Sequence, residues 1–194
     1  MTDYPRLPET GCQGPLPSTD PYHEMLVVDS SEIGEEYILS RGCCVLCTKR
    51  NGWRVGPLGL YIPAKHGWDS PVEFWQARRV DGGEPRYLSS RAPRGDTLVF
   101  MTYVRQTFVF VCEGPMDALA LCHGGQAIAV MGNHIPHVVL GRLCEAVQPF
   151  QEVIFAVDAD SRGVFSEVAA MLALSGKIIR FQDPYPRKDP ADLP

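Results

Sequence analysis

Acidic residues in the carboxyl half of this 194-residue chain fall into three groups whose spacing could gather a cation. Glu113 and Asp117 belong to Glu113-Gly-Pro-Met-Asp117, Asp158 and Asp160 to Asp158-Ala-Asp160-Ser-Arg-Gly163, and Asp189 to Arg187-Lys188-Asp189-Pro190. Alternate residues on an extended backbone point the same way, so Asp158 and Asp160 can converge on one ion. Carboxylates held together repel one another unless a cation neutralises them, and oxygen donors without His or Cys suit Mg²⁺ or Mn²⁺. Such ions clamp phosphate oxygens in phosphoryl transfer. Singly, each acid has a plainer explanation; Asp117, for example, suits the first turn of a helix, where the dipole favours negative charge. Three consecutive groups are harder to explain that way.

The elements that must carry these acids are legible in the apolar rhythm. Thr107–Cys112, Gln126–Met131, Glu152–Val157 and Lys177–Gln182 are short, nearly continuous apolar runs of the kind buried on both faces of a sheet. Helical candidates at 115–123, 136–148 and 163–175 lie between them. Strands alternating with helices imply a parallel sheet with right-handed crossovers. In open sheets of this class ligands bind beyond the carboxyl ends of the strands. Glu113 follows the first run directly, Asp158 and Asp160 close the third, and Asp189 comes a few residues after the fourth.

The amino half has a different rhythm. Residues 1–22 contain five prolines and almost no apolar periodicity, which predicts a flexible leader, bounded here at residue 30. A helical stretch is expected from Glu32 to Cys47, with Ser30 or Ser31 capping it and Gly42 ending it. Gly59-Leu-Tyr-Ile-Pro63, Val72–Arg78 and Arg86-Tyr87-Leu88 alternate as strands between Gly, Pro and Asp turn signals. They predict a small sheet studded with arginines over residues 31–105.

The net charge of −5 argues against a nucleic-acid binder only as an average. Residues 1–40 hold one basic and eight acidic residues, residues 41–105 eleven and five, and residues 106–194 six and ten. A basic middle thus precedes the acid groups. No apolar run reaches the roughly 18 residues of a membrane span, and the amino terminus lacks the pattern of a signal peptide. Seven cysteines, an odd number, lie mostly in apolar runs and predict no disulfide framework. Cys44-Val-Leu-Cys47 has metal-like spacing, but no second pair follows and only His66 and Cys12 are near in sequence, so the pair is read as packing.

Glu113-Gly-x-x-Asp117, Gly132 after the second run, Asp158-x-Asp160-x-x-Gly163 and Lys188-Asp189-Pro190 resemble, in order, spacing and β/α context, the Toprim domain of bacterial DnaG-type and phage DNA primases. The likeness covers residues 106–194. Arg41-Gly42, Gly59–Pro63, Phe74–Arg78 and Pro85–Ser89 are similar to the small basic subdomain that precedes Toprim in those primases. The chain departs from the family at Pro115, at Arg86 in place of a lysine, and at Ala191, where a second acid is usual, with Asp192 one residue beyond.

The resemblance implies a Rossmann-like, four-stranded parallel α/β sheet with flanking helices, preceded by a small basic α+β subdomain. It implies a DNA primase: a nucleotidyltransferase that makes short RNA primers on single-stranded DNA, in a phage or mobile-element replication system. Mg²⁺ or Mn²⁺ would be held by Glu113, Asp117, Asp158, Asp160 and Asp189, with Glu113, Asp158 and Asp160 catalytic. Arg41, Arg78, Arg86 and Lys188 would contact template or nucleotide phosphates, alongside ribonucleoside triphosphates as substrates. Neither a zinc ribbon nor a helicase domain is recognisable, so a replicative helicase or zinc-ribbon partner is the expected source of those parts. The expected location is the cytoplasm of a bacterial host or phage-infected cell. A Toprim nuclease using the same acids on water is one alternative. A non-catalytic DNA-binding scaffold of the recombination-mediator type is another, although its second cysteine pair is missing.

Overall fold

The structure, a computed structural model, describes residues 26–27, 32–41, 43–90, 93–132, 134–158 and 161–182. Asp160, Lys188, Asp189, most of the expected leader, and the expected cap and stop residues Ser30, Ser31 and Gly42 lie outside them. Two compact units divide the chain: residues 1–64 with 72–94, and residues 65–71 with 95–194.

The first unit is built on an antiparallel sheet in which each strand pairs with the next: β1 (Leu26–Val27), β2 (Arg54–Gly56), β3 (Gly59–Ala64), β4 (Phe74–Arg78) and β5 (Tyr87–Ser89). β1 falls at the end of the span read as leader, where Leu26 and Val27 pair with Val55 and Arg54. β3 is buried along its whole length. Tyr61 on β3 and Trp75 and Ala77 on β4 form the apolar centre, the two rings 4.7 Å apart. The β2–β3 turn closes on Gly59 at φ +113°, and a Cβ there would lie 2.4 Å from the Arg78 carbonyl oxygen. Only glycine lets β3 start so close to β4. Instead of one helical stretch there are two helices, α1 (Glu32–Ser40) and α2 (Val45–Arg50). Cys44 stands at the α2 N-cap and Cys47 is buried within that helix, and no disulfide occurs among the described residues.

The second unit holds the expected parallel strands, β7 (Phe108–Cys112), β8 (Gln126–Ala129), β9 (Glu152–Ala156) and β10 (Ile178–Gln182), alternating with α3 (Pro115–Leu121), α4 (His137–Ala146) and α5 (Arg162–Leu174). A fifth strand, β6 (Val99–Met101), runs antiparallel against β8, giving the order β10-β9-β7-β8-β6. Val99–Met101 was expected to belong to the basic subdomain; its three buried apolar side chains instead extend this sheet. One core runs from Val109 and Val111 on β7 to Val139 and Leu143 on α4 and Phe165, Val168 and Leu172 on α5. α3 packs against β6, β7 and β8. β10 was expected to be buried on both faces, but as the edge strand it is largely exposed.

The segment 65–71, between β3 and β4 in sequence, is held in this second unit. Lys65 exchanges backbone hydrogen bonds with Leu98 at 2.8 Å. The Trp68 indole N–H donates to the Ala146 carbonyl at 3.2 Å, and its ring meets Phe100 and Phe150 at 4.8 and 5.7 Å. His66 Nε2 lies 3.1 Å from Asp96, whose carboxylate also accepts from Arg142.

Candidate active site

Strand order selects the site. From β7 the chain crosses to β8 on one side and then returns to place β9 on the other, so the connections diverge at the carboxyl ends of β7 and its neighbours. A crevice for ligand opens at such a switch point. Val111 is opposite Phe155 in the parallel ladder, which brings Glu113, two residues on, and Asp158, three residues on, to the same end of adjacent strands. The Asp158 backbone N–H donates to Glu113 Oε1 at 3.2 Å, although 45 residues separate them. Glu113 is half-buried and Asp158 exposed.

Local chemistry fixes each side chain's base. The Glu113 carbonyl accepts from Gly132 N–H at 3.1 Å, tying the end of β7 to the turn after β8, where Met131 adopts φ +60° and Gly132 φ +139°. After Asp158, the chain turns into α5, and the Ser161 N–H donates to the Asp158 carbonyl at 3.0 Å. Asp117, on the first turn of α3, accepts from the Gly114 N–H at 3.1 Å and so satisfies the helix entrance. A Cβ at Gly114 would sit 2.8 Å from that carboxylate. The helix-start explanation of Asp117 is therefore seen directly.

Beneath Glu113, the Cys112 thiol is wholly buried, and burial, reinforced by the charges of Asp117 and Glu113, pushes its pKa well above the usual value. The thiol donates to the Gly114 and Ile128 carbonyls, each at 3.5 Å. Among the described residues no Lys or Arg pairs with Glu113 or Asp158. Two acidic residues at neighbouring strand ends, without a Lys or Arg partner among the described residues, fit a hard divalent cation. Of the five expected metal ligands, the structure brings Glu113 and Asp158 together and puts Asp117 one helical turn from Glu113. Asp160 and Asp189 fall outside the described residues.

Of the basic candidates, Arg41, Arg78 and Arg86 lie in the first unit, and Lys188 falls outside the described residues. Arg41 follows α1, its N–H donating to the Tyr37 and Ile38 carbonyls at 3.3 and 3.2 Å. Arg78, at the end of β4, donates through Nε to the Tyr37 hydroxyl at 2.9 Å and lies over the Tyr87 ring, Cζ 4.8 Å from its centroid. Burial disfavours its charge, and the two phenol oxygens more than offset this, so its pKa is raised. Arg86 is exposed and approaches Glu84 at 3.4 Å. Sequence inspection missed Tyr37 as a member of this group. Its position one helical turn before Arg41 was the available signal.

Residues 110–193 match the family model described as Toprim-like. The catalytic domain of DnaG primase, solved bound to single-stranded DNA, is similar in fold with a TM-score of 0.68 at 16% identity, over 91% of this chain and 72% of that one. The primase fragment of the bacteriophage T7 primase-helicase gives 0.59 at 17%, over 79% of this chain and 66% of its own. A chain from a complex of T7 lagging-strand DNA polymerase with primase domains, an RNA/DNA hybrid and dTTP gives 0.56 at 15%, over 78% and 66%. No curated protein sequence matches. At these identities the likeness is one of fold: residues 110–193 are Toprim-like, and the chain is similar in fold to primase catalytic domains.

Proposed function

We propose that this Toprim-domain protein is a metal-dependent primase-type nucleotidyltransferase that makes short RNA primers on single-stranded DNA. The observation carrying the proposal is the meeting of Glu113 and Asp158 at the switch point of the parallel sheet without a neutralising cation among the described residues. Glu113 and Asp158 would hold Mg²⁺ or Mn²⁺, with Asp160, Asp189 and Asp117 as the further proposed ligands. A cation bound there supplies charge for the triphosphate and for the phosphorus under attack.

The chain's own residues do the rest. Glu113 is pre-oriented at the carboxyl end of the sheet, its carbonyl tied to Gly132 and its carboxylate bonded by the Asp158 N–H. A primer 3′-hydroxyl forms the new bond to the α-phosphorus, the bond to pyrophosphate breaks, and the hydroxyl proton passes to water. Arg41, Arg78, Arg86 and Lys188 are the proposed phosphate contacts, Arg being suited to forked hydrogen bonds.

The bacteriophage relative is a primase joined to a helicase in name; a replicative helicase or zinc-ribbon partner and a phage or mobile-element setting in a bacterial cytoplasm are the matching proposals here. No helix among the described residues is long and apolar enough to cross a membrane.

The test is template-dependent incorporation of labelled ribonucleotides with Mg²⁺ or Mn²⁺, with and without a helicase. Asp158→Ala should lower incorporation at least about 100-fold, the scale on which removal of transition-state charge stabilisation acts. If wild type makes no dinucleotide on any template, the proposal fails. Cleavage of DNA or RNA in its place would assign the same acids to a nuclease.

A further inference from the structure

We infer that Tyr37 is a positioning residue for Arg78, holding its guanidinium so that the Nη end addresses a phosphate of single-stranded DNA. This rests on the proposed nucleic-acid role of the basic unit and adds to it the device that sets the geometry of one contact.

The three arginines at the β4–β5 hairpin are not equivalent. Arg79 is occupied by Asp81, with Nε and Nη2 at 3.0 and 2.6 Å from the two carboxylate oxygens. Arg86 lies 3.4 Å from Glu84. Arg78 has no carboxylate partner among the described residues, and its charge is therefore the one left for an external anion. It is also the one that is held. Tyr37 Oη accepts the Nε–H at 2.9 Å, while the Tyr87 ring lies under Cζ at 4.8 Å.

One contact fixes the guanidinium about its long axis and the other fixes its plane. Neither partner is charged, so neither competes with a phosphate, as Asp81 does at Arg79. With Nε given to Tyr37 and the Tyr87 phenol also hydrogen-bonded to the guanidinium, the planar fork still has Nη–H donors left for phosphate oxygens, the geometry in which arginine surpasses lysine. Pre-orientation cuts the entropy lost when a long side chain is immobilised on binding. Tyr37 comes from α1, 41 residues away in sequence, so the contact joins two distant elements of the unit.

The experiment is anisotropy titration of the full chain with labelled oligodeoxythymidylate over a series of salt concentrations. It compares wild type with Tyr37→Phe, Arg78→Ala, Arg78→Lys and the Tyr37→Phe double variants. Tyr37→Phe keeps the ring and should weaken binding about 3- to 10-fold, the scale of one ordinary hydrogen bond. It should leave the salt slope unchanged. Arg78→Ala should weaken binding and make the slope shallower by about 0.7, one phosphate contact on a single strand. Arg78→Lys should keep the slope.

In either Arg78 background Tyr37→Phe should have no further effect; a merely structural tyrosine would weaken binding in every background. Wild-type binding by Tyr37→Phe, or an equal loss in the Arg78→Ala background, overturns the inference. Unchanged affinity and slope in Arg78→Ala overturn it together with the phosphate role of Arg78. Failure of the primase reading is seen separately, in the incorporation assay.

Discussion

Arg78 and Arg79 are neighbours whose side chains do different things, because successive side chains on a strand leave on opposite sides. Arg79 closes a bidentate pair with Asp81. That hydrogen bonding, working against the cost of burial, lowers the Asp81 pKa to about 2. The sign of its effect on stability follows from linkage: a carboxyl whose folded pKa lies below the unfolded value of about 3.9 stabilises fully above that value. The contribution is lost as pH falls through about 2. Urea midpoints of wild type and Asp81→Asn should therefore differ at neutral pH and converge between about pH 4 and pH 2. A difference that persists unchanged to pH 2 would refute the pairing. Arg78 contributes little of this kind, having phenols rather than a carboxylate beside it.

At the scale of elements, the turn into β3 decides where Arg78 sits. Gly59 combines φ +113° with a Cβ position 2.4 Å from the Arg78 carbonyl oxygen. Gly59→Ala must either strain the turn or push β4 away, and should cost about 1–3 kcal/mol in thermal unfolding. Single-stranded DNA binding should weaken with it, since Leu60 pairs with Arg78 across the ladder. The seven strands and helices expected in the carboxyl half all formed with small shifts at their ends. The elements that escaped detection, β1, β2 and β6, are only two or three residues long and carry too little pattern to show a period. The α1–α2 break at Cys43 and Cys44 follows directly on Gly42, the stop signal of the sequence, with α2 resuming as a separate helix.

For the whole molecule, the segment 65–71 matters because it is held in a different unit from the strands that flank it in sequence. Trp68 is its anchor, half-buried against Phe100 and Phe150. Trp68→Ala should cost about 2–4 kcal/mol by analogy with other large-to-small changes, slightly less than a fully buried tryptophan. Differential scanning calorimetry measures this, and an unchanged transition would show that the segment is not bound as described. Charge follows the same division of labour: the basic surplus lies in residues 41–105 and the acid pair in the second unit. Nucleic-acid binding by such a chain should fall steeply with salt despite a net charge of −5.

By itself the sequence determined the local facts: which runs are strands, which segments between them are helices, and that Glu113 and Asp158 stand at strand ends. These follow from nearest-neighbour pattern, because a run of four to six apolar residues, a glycine turn and a helix start each act over a few residues. Tertiary structure alone decided that β9 lies beside β7, so that Asp158 and Glu113 share one hydrogen bond, and that β6 closes the opposite edge. It also decided that, of three arginines alike in composition, Arg78 is the one left without a carboxylate partner among the described residues. Strand order and side-chain pairing depend on which faces the helices cover and which distant segments meet. Those energies arise between residues 41 or 45 positions apart and leave no trace in the local pattern.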